Sequence, residues 1–272
     1  MPSVIAFHRP QTLDDAADLL KQSNSRALVG HPNLVPTLLA STEEGVEAVD
    51  LQQLGLDTVS MSDEGLVLGA MATLSQLIEN DNMPDSLREL AKREQPSTLR
   101  PQATVGGALA AGDNESLLVA ALLAMNAKVT VRDAATADPT QTESVAQYLA
   151  HPANHDRLLT EVRVQAPGSL AVATTGRTPA DTPIVAAVGR AHHDGGDSGS
   201  NGFATVALTG VADTVVAVTI EGSTDDDVAN AVSDLAPAAD FRGSSEYRRH
   251  LAVTLTRRVV AQLANTNEEA TR

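Results

Sequence analysis

Leu13, Ala16, Ala17 and Leu20 recur at helical spacing behind Thr12, and Asp14 and Asp15 stand in the first turn. A hydroxyl residue ahead of an acidic first turn is an N-terminal signal, so this spacing predicts a short amphipathic helix. Ala27-Leu28-Val29 reads as a buried strand that stops at Gly30. Asn33 then caps a second helix over 34–40, and 47–51 returns as a strand. A second unit opens with a strand at 66–69. Helices follow at 75–81 and 84–94, with Pro84 suited to a first turn. Residues 96–107 read as a turn-rich connection. The stretch 115–125 is apolar on almost every side, which predicts a helix buried all round. A strand at 128–132 follows, then a polar, irregular stretch over 133–154 with one weak helix near 145–149. Beyond a boundary near 160 the pattern changes. Residues 161–164, 184–191, 203–208 and 215–220 are β-like with no helices between them, which argues for an antiparallel meander. Two helices close the chain, at 225–235 and from 244 to about 263. The second has a stripe of Tyr247, Leu251, Leu255 and Val259, and the tail over 265–272 reads as frayed.

Composition narrows the function classes. The chain has 272 residues and no cysteine, which excludes disulfides, thiolate metal sites and any iron–sulfur cluster held by this chain alone. Its 19 basic and 35 acidic residues give a net charge of −16, the wrong sign for binding a phosphate backbone. With no Trp, three Phe and two Tyr it lacks a base-stacking platform. No apolar run reaches the ~20 residues of a membrane span. The N-terminus has no signal-peptide pattern, so a soluble cytoplasmic protein is expected.

Few motifs carry chemistry. His151 and His155 are spaced as helical metal ligands would be, but Pro152 lies between them and no acidic partner completes a site, so they read as a solvated loop. The Gly- and Asp-rich run over 192–202 lacks the closing Glu of a calcium loop and reads as a hairpin loop. Neither a nucleophile elbow nor a Walker lysine is present. Two glycine sites remain, Val29-Gly30-His31-Pro32-Asn33 and Thr104-Val105-Gly106-Gly107-Ala108. Turns of this kind ahead of a helix aim backbone N–H groups and a positive dipole end at an anion, and two of them together could hold a pyrophosphate. The same glycines would equally serve two tight bends.

Further segments resemble a known family. Phe7-His8-Arg9-Pro10 with Thr12-Leu13 is similar to its opening strand and helix, and 28–38 occupies the place of its first glycine loop. Leu68-Gly69-Ala70-Met71-Ala72-Thr73-Leu74, Thr104-Val105-Gly106-Gly107 and Arg242-Gly243-Ser244-Ser245-Glu246-Tyr247-Arg248-Arg249-His250-Leu251 match three more segments, the last being the longest. On these the chain resembles the FAD-binding (medium) subunit of molybdenum hydroxylases, the family of the carbon monoxide dehydrogenase flavoprotein and the xanthine dehydrogenase FAD-binding subunit.

The resemblance implies an α+β fold. Two α/β subdomains, 1–57 and 58–160, form a PCMH-type FAD-binding domain, and a C-terminal antiparallel sheet with helices covers 161–265. It implies FAD as cofactor, with an iron–sulfur subunit and a molybdenum-cofactor subunit as partners in a hetero-oligomer. FAD takes electrons from the iron–sulfur subunit and passes them to an acceptor. No catalytic residue and no metal ligand is assigned to this chain. Cofactor-binding positions carried over are Gly30, His31, Asn33, Leu34, Thr104, Gly106, Gly107 and Asp113. Gly106 and Gly107 would present N–H groups to the pyrophosphate, Thr104 a hydroxyl or N–H, and Asp113 would hold ribityl or adenosine hydroxyls.

The departures bear on that site. The family's second glycine is His31, and the next residue is Pro32, which lacks an N–H. An Asn is replaced by Ala108 and a second Asp by Leu117. Each lost charge-assisted bond to phosphate is worth roughly 1.5–3 kcal/mol. A flavin-free paralogue, acting as a scaffold or binding another small molecule in the old cleft, is the alternative.

Overall fold

The computed structural model describes residues 4–32, 45–63, 65–133, 140–151, 157–165, 169–176, 181–192 and 203–270. Asn33, Leu34, the helix expected over 34–40, His155 and residues 193–202 lie outside the described residues. In chain order the strands are β1 (Val4–His8), β2 (Ser25–Leu28), β3 (Val46–Asp50), β4 (Val59–Ser62), β5 (Gly65–Gly69), β6 (Lys128–Asp133), β7 (Thr140–Ser144), β8 (Arg157–Val164), β9 (Ala171–Thr174), β10 (Ala186–Ala191), β11 (Ala204–Thr209) and β12 (Val216–Ile220). The helices are α1 (Leu13–Leu20), α2 (Leu74–Glu79), α3 (Asp85–Glu94), α4 (Val105–Ala111), α5 (Leu117–Ala124), α6 (Val145–Leu149), α7 (Asp225–Ala231) and α8 (Ser245–Ala270). Among the described residues no helix is long and apolar enough to cross a membrane.

These elements pack as two compact units. The first is Met1–Met83, Gln95–Gly112 and Ala127–Ala166; the second is Pro84–Glu94, Asp113–Asn126 and Pro167–Arg272. The first unit holds a three-stranded sheet in the order β1-β3-β2, with β3 parallel to both neighbours. As expected, Thr12 caps α1, its Oγ1 accepting the Asp15 N–H at 3.1 Å. Ala16 and Leu20 on the buried face of α1 pack with Val49, Leu51 and Leu158. The other sheet of this unit is antiparallel, in the order β4-β5-β8-β6-β7. Residues 161–164, expected among the later strands, belong to β8 in its centre. Gly69 pairs with Glu161 and Leu66 with Val164 on one side of β8, and Val129 pairs with Val162 on the other. Val162 and Val164 are fully buried there, and an apolar alternation says that a strand is covered without saying what pairs with it.

In the second unit the meander appears as expected, in the order β12-β11-β10-β9 with every pair antiparallel. Alternating residues of β10 and β11 serve opposite faces. Ala187, Val206 and Leu208 join a core with Leu251, Leu255 and Val259 of α8. The other face carries α5, whose eight residues are all buried, as an all-apolar helix must be. α3 packs on α5 in turn. One expectation about α8 changes: the helix runs on to Ala270 instead of fraying after 264. Arg248 on this helix is buried, with Nη1 donating to the carbonyls of Ile184 and Gly210 and Nη2 to Asp240.

Candidate functional site

The second glycine motif is not a turn. Thr104 is the N-cap of α4, and Gly106 and Gly107 lie in the helix's first turn. Helix N-termini leave N–H groups without intrahelical partners, and here each has a partner in the protein. Val105 N–H donates to Ala72 O at 3.0 Å and Gly106 N–H to Ala70 O at 2.7 Å. Gly107 N–H donates to Thr104 Oγ1 at 3.0 Å. The two N–H groups assigned to a pyrophosphate are therefore engaged within the chain.

The accepting carbonyls come from the segment between β5 and α2, which the sequence analysis matched to the family but gave no role. Thr73 pairs with Thr104 in an isolated antiparallel bridge, and Leu74 N–H returns to Ala103 O at 2.9 Å. The first glycine loop meets α4 from its other side. Gly30 O accepts the Thr104 N–H at 2.8 Å. A Cβ on Gly30 would stand 1.7 Å from Gln102 O, and one on Gly107 would stand 2.3 Å from Gly30 O. Both glycines thus allow backbone to lie against backbone, the second role of such a motif. Gly30, Thr104, Gly106 and Gly107 are brought together at one crossing.

The first loop is tight. His31 N–H donates to Val29 O at 2.9 Å, a two-residue closure, and Pro32 has no N–H to give. Among the described residues Asn126 is the only non-glycine with positive φ, so His31 carries its Cβ in ordinary backbone geometry. Asp113 lies in the second unit. Its Oδ1 accepts the Glu115 N–H at 2.9 Å, and its carbonyl accepts the Ser116 N–H at 3.2 Å, so it shapes the entry to α5. Ala108 and Leu117, two of the departures, are buried apolar residues. Among the described residues no three His, Cys, Asp or Glu side chains are placed to hold a metal ion.

The framework has a counterpart in known proteins. The family model described as "FAD binding domain in molybdopterin dehydrogenase" matches residues 3–167. The chain belongs to this family. It is 32% identical over 271 residues to an uncharacterized protein, YgfM, of Escherichia coli K12, covering 97% of this chain and 98% of that one. It is 28% identical over 282 residues to the carbon monoxide dehydrogenase medium chain of Afipia carboxidovorans, covering 96% of each. A crystal structure of the cyanide-inactivated Cu,Mo-CO dehydrogenase superposes with a TM-score of 0.80 at 26% identity, covering 96% of this chain and 98% of that one. The family and the α+β fold expected from the sequence both stand.

The family model that matches is described by FAD binding, and both glycine motifs that meet at the crossing fall within the matched residues. The glycines of the crossing leave no side chain between the two loops, and Thr104 keeps a hydroxyl there. A phosphate held at this crossing would have to be met by groups other than the Gly106 and Gly107 N–H.

Proposed function

We propose that this chain is the FAD-binding, electron-relaying medium subunit of a molybdenum hydroxylase-type dehydrogenase. The observation that carries the reading is the intact crossing of Gly30, Thr104 and Gly107, in a chain whose family match spans both glycine motifs. FAD, when bound, supplies a two-electron carrier that also exchanges single electrons. The chain's own part is to bind and orient it. The residues assigned to binding it are Gly30, His31, Asn33 and Leu34 of the first glycine motif and Thr104, Gly106 and Gly107 of the second. In this reading Gly106 and Gly107 shape the floor instead of donating, and Asp113 accepts from cofactor hydroxyls. In this reading electrons arrive from an iron–sulfur subunit, since a chain without cysteine holds no cluster of its own, and originate at a molybdenum-cofactor subunit. The complex is a cytoplasmic hetero-oligomer.

The test is the visible absorption spectrum of the purified chain, with and without added FAD, alone and with its companion chains. A flavin band near stoichiometry supports the reading. A folded, colourless protein that ignores excess FAD in both settings overturns it. That outcome would favour the second reading, a flavin-free medium chain kept as scaffold or binding another small molecule in the old cleft. The engaged N–H groups of His31, Gly106 and Gly107, together with Pro32, speak for that alternative.

A further inference from the structure

Arg242 opens the C-terminal motif, and no residue of that motif is assigned to cofactor binding. Its side chain nevertheless reaches a residue 127 positions back along the chain. Arg242 Nη1 pairs with Glu115 Oε1, and Nη2 donates to Thr182 O at 2.7 Å. Only 22% of the Arg242 side chain and 27% of the Glu115 side chain are exposed, so solvent screens this pair less than a surface pair. The Arg242 backbone is fixed as well. Its N–H donates to Asp240 Oδ1 at 2.8 Å, and Gly243 N–H donates to the same oxygen at 3.1 Å. Asp240 Oδ2 accepts from buried Arg248 at 2.6 Å, and Arg248 is anchored on the carbonyls of Ile184 and Gly210. The Arg248 guanidinium keeps the Asp240 carboxyl below the usual carboxylate range, so the base of this clamp stays charged at neutral pH. The planar fork of Arg242 therefore meets Glu115 from a position that is itself held.

Glu115 lies in the short segment between α4 and α5, two residues after Asp113. Asp113 Oδ1 accepts the Glu115 N–H at 2.9 Å, so the place of the Glu115 backbone sets the direction of the Asp113 carboxylate. Among the described residues Asp113 Oδ2 accepts no hydrogen bond, and the residue is half-buried. That oxygen is the one left to meet a cofactor hydroxyl. The neighbours of Glu115 have tethers of their own. Asn114 O accepts the Gly210 N–H at 2.8 Å, Asn114 Nδ2 donates to Ala212 O at 2.8 Å, and Ser116 Oγ–H donates to Glu94 Oε1 at 2.7 Å. Arg242 adds a charge to these tethers. Burial pushes the Glu94 carboxyl up, and the Asp113 charge adds to that push. Glu115 brings a further carboxylate to the same segment, and Arg242 brings the cation that offsets it. All of these residues belong to the second unit.

We infer that Arg242 is a positioning residue for the flavin: through Glu115 it fixes the turn in which Asp113 presents its carboxylate to cofactor hydroxyls. The inference rests on the medium-subunit reading above, and the test separates the two. The full chain is purified, and its dissociation constant for FAD is read from quenching of flavin fluorescence, with the melting temperature alongside. Wild type is compared with Asp113→Asn, Arg242→Met and the variant carrying both. Asp113→Asn should weaken FAD binding about tenfold, as the loss of a charged acceptor does. Arg242→Met should weaken it by roughly three- to tenfold when Asp113 is present, and by a factor near one when Asp113→Asn is present too. Arg242→Lys keeps the cation without the fork and should recover part of the loss. Glu115→Gln, taken through the same cycle, should move in the direction of Arg242→Met and replaces it if that variant does not fold. A clamp that served the fold alone would lower the melting temperature and cost FAD the same factor in both backgrounds, and that result overturns the inference. FAD affinity that Arg242→Met and Glu115→Gln both leave unchanged overturns it and spares the medium-subunit reading. Wild-type affinity in Asp113→Asn removes the acceptor and overturns the inference alone. Wild type that takes up no FAD, by itself or with its companion chains, overturns both.

Discussion

Glu94, at the end of α3, closes the N-terminus that Ser116 opens. Ser116 Oγ–H donates to Glu94 Oε1 at 2.7 Å, and Leu118 N–H donates to Oε2 at 2.9 Å. Ser116 Oγ accepts the Val119 N–H at 3.1 Å in the same cap. A helix with no polar face has no solvent to satisfy its first N–H groups, so a carboxylate is brought to it from another helix. Glu94→Ala should cost about 1–3 kcal/mol, since it leaves buried donors unpaired. Thermal unfolding measures this, and a loss within error would mean that water replaces the carboxylate.

The same residue predicts a pH dependence. Burial pushes the Glu94 carboxyl above its ordinary value of 4.5, against the bonds from Ser116 and Leu118. The folded chain therefore holds this proton more tightly than the unfolded chain. Ionising Glu94 then removes stability as pH rises from the unfolded value, and the loss is complete above the folded one. Glu94→Gln carries no such term. Melting temperatures from about pH 4 upward should show wild type losing ground to Glu94→Gln as pH rises. A difference that is flat with pH would contradict the assignment.

The loop crossing predicts a ranking of glycine substitutions. Gly30→Ala and Gly107→Ala both drive a Cβ into backbone oxygen, which no rotamer change relieves. Each should destabilise by roughly 1–3 kcal/mol and reduce flavin uptake alongside. Gly112→Ala meets nothing within 4 Å but sits at φ +59, so it should cost about 1 kcal/mol through backbone strain, with flavin uptake retained. Denaturant titration and flavin absorbance on the three variants test the order.

Pro32 predicts a gain. Pro32→Thr returns one N–H to the first loop, and a single charge-assisted bond to phosphate would tighten flavin binding by about tenfold. Quenching of flavin fluorescence reads the affinity directly. Unchanged affinity would mean that the pyrophosphate does not approach this position.

Arg248 joins three oxygens on three segments through one planar fork. A lysine ammonium cannot reproduce that fork. Arg248→Met should cost roughly 3 kcal/mol, most of it from leaving the carbonyls of Ile184 and Gly210 unsatisfied, because Asp240 keeps part of its hydration. Equilibrium unfolding of the variant checks the value.

Much of this was legible in the sequence. α1 carries cap, charge and apolar pattern in agreement, and α5 an unbroken apolar run, and local signals of that kind survive into the fold. α4 was hidden because Gly-Gly costs helix propensity, about 1 kcal/mol per residue, and only the carbonyls of Ala70 and Ala72 show why it forms. The strands β4 and β7 are largely exposed and polar, and nothing in their composition separates them from loop. The burial of Arg248 did leave a signal. It falls at helical spacing with Leu251 and Leu255, on the covered stripe. At the site, the motif spacing located the crossing, but donors already engaged with distant carbonyls cannot be read from spacing.

The second unit draws its layers from separate stretches of chain, with α3 and α5 contributed from within the first. During synthesis both helices leave the ribosome before β9–β12 have been translated. The all-apolar α5 then has no sheet to cover it, and the nascent chain must carry an oily segment until the meander arrives. Folding of that unit therefore waits on the last third of translation, and chaperone demand falls on a short window around one helix. A fragment ended where the family match ends would never leave that window.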